Sequence, residues 1–164
     1  MEIFRNLRRQ GFENVGVVIQ SYLYRSEKDV AELIGEGANL RIAKGAYREP
    51  ASPAFPKKQD NDENFMKLVA MMLAASCYVG IATHDDQIID WVREFVRVQQ
   101  IDRQKFEFQM LYGVRTGLQD ELARQGYKVR CYLPFGKMWY PYFTRRIAES
   151  PRNLGFLLRN LIKR

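Results

Sequence analysis

The sequence predicts an α/β fold in which parallel strands alternate with crossover helices. Five short apolar segments recur along the chain, and the stretches between them carry apolar residues at helical spacing. Such alternation is typical of a parallel sheet, because strands that run in the same direction need a crossover between them. The predicted strands are Val15–Ile19, Asn39–Ala43, Val79–Thr83, Lys105–Phe108 and Lys128–Tyr132.

Start and stop signals mark the helices between these strands. Ser26 and Asp29 resemble a capping pair, and a glycine at position 35 or 37 ends that helix. Acidic residues open the next two helices, at positions 60–62 and 85–86. The other predicted helices are Ile3–Gln10, a segment from Leu118 to Gly126, one near Lys137–Glu149, and Pro151–Lys163.

The composition indicates one globular domain over residues 1–164. Hydrophobic residues make up 46% of the chain and charged residues 27%, as in ordinary folded proteins. No apolar run approaches the roughly 20 residues that span a bilayer. Cys77 and Cys131 lack metal-ligand spacing, which predicts a reduced, cytoplasmic location. With His84 as the single histidine, a zinc site or a catalytic triad of the usual kind is not expected.

The positive charge is concentrated at the carboxyl-terminal end. The net charge is +7, and the segment from Lys137 onward holds seven basic residues and one acidic residue. Such a segment suits an anionic ligand, nucleic acid or an acidic membrane surface, and charge alone does not choose among them. Arg145 and Arg146 lie in an aromatic-rich segment, where paired guanidinium groups suit a carboxylate; a solvated basic helix face is the alternative.

Polar and aromatic residues lie where each predicted strand ends. They are Gln20, Tyr22, Arg41, Lys44, Tyr47, Thr83, His84, Gln109, Tyr112 and Tyr132. In a (β/α)₈ barrel the functional residues come from the carboxyl ends of several strands, whereas an open doubly wound sheet concentrates them at one switch point. The glycine fingerprint of the open fold is missing. Because five strands do not close an eight-stranded barrel, we expect a partial (β/α)₈ TIM-type barrel.

Five segments in order carry a resemblance to a known family. They are residues 18–23 (VIQSYL), 41–47 (RIAKGAY), 82–85 (ATHD), 106–113 (FEFQMLYG) and 142–146 (YFTRR). Together they resemble the carboxyl-terminal half of a bacterial monofunctional proline dehydrogenase. The resemblance implies a distorted (β/α)₈ barrel that binds FAD, oxidises L-proline to Δ1-pyrroline-5-carboxylate by hydride transfer to the flavin, and passes electrons to a membrane quinone.

The resemblance also implies roles for individual residues. Those matching cofactor-binding positions are Gln20, Arg41, Lys44, Gly45, Ala46, Thr83, His84, Glu149 and Phe156. Those matching the walls of the proline pocket are Tyr47, Leu111, Tyr132 and Tyr142, and Arg145 with Arg146 matches the pair that holds the substrate carboxylate. No residue matches a catalytic acid or base, and no metal is implied. Glu107 and Gln109 are polar within a strand and receive no role.

The resemblance further implies that a full barrel of this family has three strands before the predicted strand Val15–Ile19. Those strands supply a lysine and an aspartate to the substrate and flavin site. We therefore expect Met1 to be an internal methionine of a longer reading frame, or an engineered start. Unpaired edges at the first and last strands favour self-association. The first alternative is a non-catalytic fragment of that enzyme. The second, which we favour less, is a basic domain that binds anions or nucleic acid, so nucleic acid is not the expected partner. The location is cytoplasmic, with a peripheral contact to the inner face of the membrane as an option.

Overall fold

Helices and strands alternate throughout the computed structural model, which describes residues 1–45 and 52–137. The strands are β1 (Gly16–Gln20), β2 (Asn39–Ala43), β3 (Val79–Ala82), β4 (Phe106–Leu111) and β5 (Val129–Tyr132). The helices are α1 (Glu2–Arg9), α2 (Ser26–Gly35), α3 (Lys58–Ala74), α4 (Asp86–Val98) and α5 (Thr116–Arg124), with a 3₁₀ turn at Arg103–Lys105. None of these helices is long and apolar enough to cross a membrane.

The five strands form one parallel sheet in the order β1-β2-β3-β4-β5. Each strand lies next to the strand that follows it in the chain, so the strand order never reverses. A doubly wound sheet reverses its order at a switch point, whereas a (β/α)₈ barrel adds its strands in sequence. The strand order therefore confirms the predicted partial-barrel fold class.

One face of the sheet packs against the helices and forms the core. Ile42, Ile81 and Phe108 lie on this face and are fully buried. They share one cluster with Val30 of α2 and Leu68 of α3. Successive strand residues point to opposite faces, so this apolar set occupies every second position. Burial of each such side chain contributes about 1.5–3 kcal/mol, which fixes the register of the strands.

The opposite face carries the polar groups, and we name it the polar face. It consists of Val18, Gln20, Arg41, Ala43, Gly80, Ala82, Glu107, Gln109, Leu111, Arg130 and Tyr132. The register places Arg41 beside Gly80, Gly80 beside Glu107, and Ala82 beside Gln109. Val18 on this face is 53% exposed. The sheet thus presents a row of hydrogen-bonding side chains on the side away from the core.

Two asparagines of α3 fix the carboxyl ends of β1 and β2. Asn64 Nδ2 donates to the carbonyl of Ser21 and, over 2.9 Å, to Oγ of Ser26. One turn earlier, Asn61 Nδ2 donates to the carbonyl of Lys44 over 3.2 Å, and Asn61 Oδ1 accepts from Ser21 Oγ. Because buried backbone carbonyls need partners, these amides hold both loops against the helix.

The capping prediction for α2 is wrong, and that for α4 is confirmed. Ser26 Oγ is engaged by Asn64, and Asp29 accepts from Arg25 Nε over 2.8 Å, so neither side chain caps α2. Asp85 caps α4 by accepting from the backbone N–H of Gln87 over 3.2 Å. Helix α3 begins at residue 58, two residues before its predicted acidic start. The helices predicted near Lys137–Glu149 and Pro151–Lys163 lie outside the described residues.

Candidate functional site

The predicted site residues that the structure describes lie at the carboxyl ends of the strands. Gln20 ends β1, Lys44 and Gly45 follow β2, and Leu111 and Tyr132 end β4 and β5. Arg41 lies within β2, and Thr83 and His84 follow β3 directly. The structure therefore brings seven of these residues to the carboxyl-terminal end of the sheet, with Arg41 two residues before the end of β2. The other predicted site residues lie outside the described residues: Ala46, Tyr47, Tyr142, Arg145, Arg146, Glu149 and Phe156.

Arg41 is held on the polar face by a neutral partner. Its Nε donates to Oε1 of Gln109 over 2.7 Å, and its guanidinium carbon lies 5.3 Å from the ring centroid of Tyr132. Within residues 1–45 and 52–137 no carboxylate forms an ion pair with it. Among the described residues Arg41 therefore brings a positive charge without a carboxylate counterion to the sheet, and a guanidinium stays charged at any physiological pH.

Lys44 is instead neutralised by two carboxylates. Its Nζ lies 2.6 Å from Oδ1 of Asp62 and 2.8 Å from Oδ2 of Asp85. Lys58 also contacts both aspartates. Partial burial opposes ionisation of Asp85, but hydrogen bonds and attraction from Lys44 and Lys58 outweigh burial and lower the pKa of this carboxyl to about 2. These four residues join the end of β2 to the starts of α3 and α4.

Glu107 is a buried carboxylate in the middle of the polar face. The residue is 5% exposed. It accepts from Arg130 Nε and Nη2, from Gln109 Nε2 over 2.6 Å, and from the hydroxyl of Tyr78. Burial favours the neutral acid, but these donors favour the anion more strongly and lower the pKa of Glu107. Burial and the hydrogen bond to Glu107 raise the pKa of Tyr78, which remains a donor.

Thr83 and His84 hold the loop after β3 in place. Thr83 Oγ1 accepts from the backbone N–H of Asp85 over 3.1 Å. His84 Nε2 accepts from the backbone N–H of Leu111 over 2.9 Å, so this ring nitrogen carries no proton. Arg115 donates to the carbonyl of His84 over 3.0 Å. The histidine therefore joins the ends of β3 and β4, which sets the spacing of the site.

Gln20 and Gly45 have features that suit a bound ligand. Oε1 of Gln20 is buried and has no hydrogen-bond partner among the described residues. A buried acceptor without a partner is costly, so a ligand that offers an N–H group fits this position. Gly45 has a φ of +97°, and a β-carbon there would lie 2.3 Å from the ring of Tyr22. The turn after β2 thus requires glycine, which lets the backbone approach both the ring and a ligand.

The sequence did not reveal the partners that give these residues their roles. Asp62 and Asp85 reach Lys44 from positions 18 and 41 residues further along the chain. Glu107 and Gln109 alternate with buried Phe106 and Phe108. This period-2 pattern was the available signal that both polar side chains share a face.

Comparison with known proteins gives consistent matches along the chain. The proline dehydrogenase family matches residues 1–159. A proline dehydrogenase of Deinococcus radiodurans is 52% identical over 99% of this chain and 53% of its own length. Proline dehydrogenase 2 of Bacillus subtilis is 44% identical over 100% of this chain and 54% of its own length. The chain thus spans about half the length of these curated relatives.

A solved structure shares the same backbone arrangement. The crystal structure of proline utilization A (PutA) from Bdellovibrio bacteriovorus, inactivated by N-propargylglycine, superposes with a TM-score of 0.80 at 26% sequence identity. The match covers 88% of this chain and 18% of that one.

Proposed function

Because the chain belongs to the proline dehydrogenase family, we propose that its polar face forms the flavin-facing wall of an enzyme that oxidises L-proline. The product is Δ1-pyrroline-5-carboxylate, the cofactor is FAD, and the electrons pass on to a quinone at the membrane surface. The observation that carries the proposal lies on the neighbouring strands β1 and β2: among the described residues, Arg41 has no carboxylate counterion and the buried Oε1 of Gln20 has no hydrogen-bond donor.

The residues on the polar face fit a flavin ring. The isoalloxazine of FAD has one ring N–H, which suits Gln20 Oε1, and bound FAD would supply the hydride acceptor. Arg41 stabilises negative charge that develops beside it, and it does so strongly because no described carboxylate competes for it. Gly45 allows close approach of the backbone. Thr83 and His84 hold the loop that borders the same space.

The proline pocket is proposed to lie beside Arg41. Leu111 and Tyr132 are register partners on the polar face, and the Tyr132 ring contacts the Arg41 guanidinium. A leucine and a tyrosine there suit the apolar edge of a five-membered ring. Tyr47 and Tyr142 are proposed as further walls, and Arg145 with Arg146 as the carboxylate clamp, because two guanidinium forks fix a carboxylate in one orientation. Ala46, Glu149 and Phe156 are proposed as further FAD contacts.

Lys44 is proposed to shape the FAD-binding loop without supplying net charge. Its ammonium group is neutralised by Asp62 and Asp85, so little positive field remains for a cofactor.

We expect Arg41→Met to lower the rate of flavin reduction about a hundredfold, as for the loss of one charge-stabilising donor. The matched double variant Lys44→Met/Asp62→Asn removes a cation three residues away together with one of its counterions, so the cluster stays neutral, and it is expected to change that rate less than about fivefold.

Anaerobic absorbance measurements test the proposed function. FAD is titrated into the purified chain, alone and with the part of the Deinococcus radiodurans relative that the chain does not cover. L-proline is then added, with L-alanine as a control that has the carboxylate without the ring. Bleaching of bound flavin by L-proline but not by L-alanine supports the proposal. The absence of FAD binding in both preparations contradicts it.

A second candidate is a cofactor-binding piece that does not catalyse alone, and the length of the chain relative to its relatives favours it. In this case flavin binds to the chain but stays yellow when L-proline is added.

Among the described strands, β1 pairs only with β2 and β5 only with β4. We propose that these edges pair with further barrel strands or with a second copy. The basic residues behind the nucleic-acid alternative, Lys137 excepted, lie outside the described residues.

A further inference from the structure

Gln109 lies between a cation and an anion on the polar face. Its Oε1 accepts from Arg41 Nε over 2.7 Å, and its Nε2 donates to Glu107 Oε1 over 2.6 Å. These contacts join β2 to β4 across β3, since Arg41 and Gln109 belong to strands that do not pair directly. The two charged groups are therefore linked through one neutral amide.

The chemistry of the three groups allows one arrangement of the amide. A guanidinium only donates hydrogen bonds and an ionised carboxylate only accepts them. Gln109 must therefore present its oxygen to Arg41 and its NH₂ group to Glu107, because the reverse orientation would leave both contacts repulsive. The amide is thus fixed at both ends by charge-assisted hydrogen bonds.

Glu107 itself is held by further donors on both sides of β4. Arg130 of β5 donates to both carboxylate oxygens, and Tyr78, which directly precedes β3, donates through its hydroxyl. Strand β3, which lies between the strands of Arg41 and Glu107, leaves space for the Gln109 amide. A β-carbon at Gly80 of this strand would lie only 2.4 Å from Gln109 Nε2. The absence of a side chain at position 80 is therefore a condition of the linkage.

The linkage positions Arg41 without neutralising it. If Arg41 contacted Glu107 directly, the ion pair would cancel most of its charge. The interposed amide occupies only Nε, which leaves the four N–H donors of the terminal nitrogens for other partners. A guanidinium held in this way has a fixed plane and no direct contact with the carboxylate.

We propose that Glu107 and Gln109 are positioning residues for Arg41, which orient its terminal nitrogens toward the flavin and keep its charge available. This inference rests on the proposed function for the identity of the ligand. It gives a role to two residues that act through Arg41 and, in this arrangement, need not contact substrate or cofactor.

The first test measures the hydrogen bond without any cofactor. The ¹⁵N-labelled chain gives an arginine Nε–H NMR signal that is assigned to Arg41 by its loss in Arg41→Met. Gln109→Met keeps the length of the side chain and removes both hydrogen bonds, so exchange of the Arg41 Nε–H with solvent should accelerate about tenfold. Gly80→Ala, which displaces the intact glutamine, should have the same effect.

The matched control is Gln125→Met, because Gln125 also donates to a glutamate, Glu121, over 2.9 Å, but on α5 away from the polar face. Exchange at Arg41 should be unchanged in this variant. Unchanged exchange in both Gln109→Met and Gly80→Ala, with wild-type melting temperatures, overturns the proposal.

The second test is a double-mutant cycle on FAD affinity. Gln109→Met should weaken binding about tenfold in the wild-type chain and have no further effect in the Arg41→Met background, because Gln109 acts through Arg41. Equal losses in both backgrounds would overturn the positioning role and indicate a merely structural one. If the wild-type chain binds no FAD either alone or with the complementary part of its relative, the proposed function is contradicted instead, and the NMR exchange measurement then decides the inference.

Discussion

Arg41 in β2 and Lys44 just after it are three positions apart but differ in their electrostatic environment. Arg41 contacts a neutral amide and an aromatic ring, whereas Lys44 lies within 3 Å of two aspartates. Residue type alone suggested the same role for both. The difference arises from partners on β4, α3 and the loop before α4, and the sequence pattern does not indicate that these segments converge. We therefore propose Arg41, and not Lys44, for the charge-stabilising role.

The ion cluster around Lys44 makes a pH-dependent contribution to stability. Because the folded pKa of Asp85 is about 2, below its ordinary 3.8, the anion is favoured in the folded state. This contribution is complete above about pH 4 and is lost as the pH falls through about 2. It amounts to about 1–2 kcal/mol after allowance for the exposure of Lys58, whose side chain is 69% exposed.

The variant Asp85→Asn measures that contribution, since asparagine still caps α4. Urea unfolding should show it about 1–2 kcal/mol less stable than wild type near pH 6, with the difference vanishing near pH 2. Asp90→Asn is the control, because Asp90 is 68% exposed and, within the part of the chain that the structure describes, pairs only with Arg93 on the surface of α4. A destabilisation by Asp85→Asn that does not change with pH would contradict the electrostatic origin.

At the scale of elements, the five strands could be predicted because their apolar residues recur at the right intervals. β2 has its predicted bounds, and β1 is shifted by one residue. β4 extends to Leu111, so Gln109 lies inside the strand and not after it. The start of α2 could not be predicted, because Arg25 takes the N-cap position and the hydroxyl of Ser26, the first residue of the helix, accepts from Asn64, 38 residues away. Local signals fail where a distant polar group competes.

Helix α3 is expected to hold the site through Asn64. The variant Asn64→Ala leaves the carbonyl of Ser21 and the hydroxyl of Ser26 without this donor, so the free energy of unfolding should fall by about 1–3 kcal/mol. Gln59→Ala is the control, since Gln59 donates to Glu63 on the exposed side of the same helix. Equal, small effects in both variants on denaturant unfolding would show that Asn64 does not join α3 to β1.

For the whole molecule, the two faces of the sheet explain why the fold was predictable and the site only in part. The helix-packed face follows from apolar periodicity, which a single sequence displays directly. The polar face depends on contacts between strands, such as those joining Arg41, Gln109 and Glu107, and these become visible only when the register is known. The family match places the chain in the proline dehydrogenase family, and the register shows which of its side chains lie together on the polar face.

A ¹H–¹⁵N correlation spectrum of the labelled chain titrated with FAD, alone and with the complementary part of its relative, shows whether FAD binds on the polar face. Backbone amides of Gln20, Gly45 and Ala82 should shift in proportion to FAD occupancy. Amides on the helical side, such as Val92 of α4, should stay in place. Shifts confined to the helices, or no shifts in either preparation at any FAD concentration, would contradict FAD binding on the polar face.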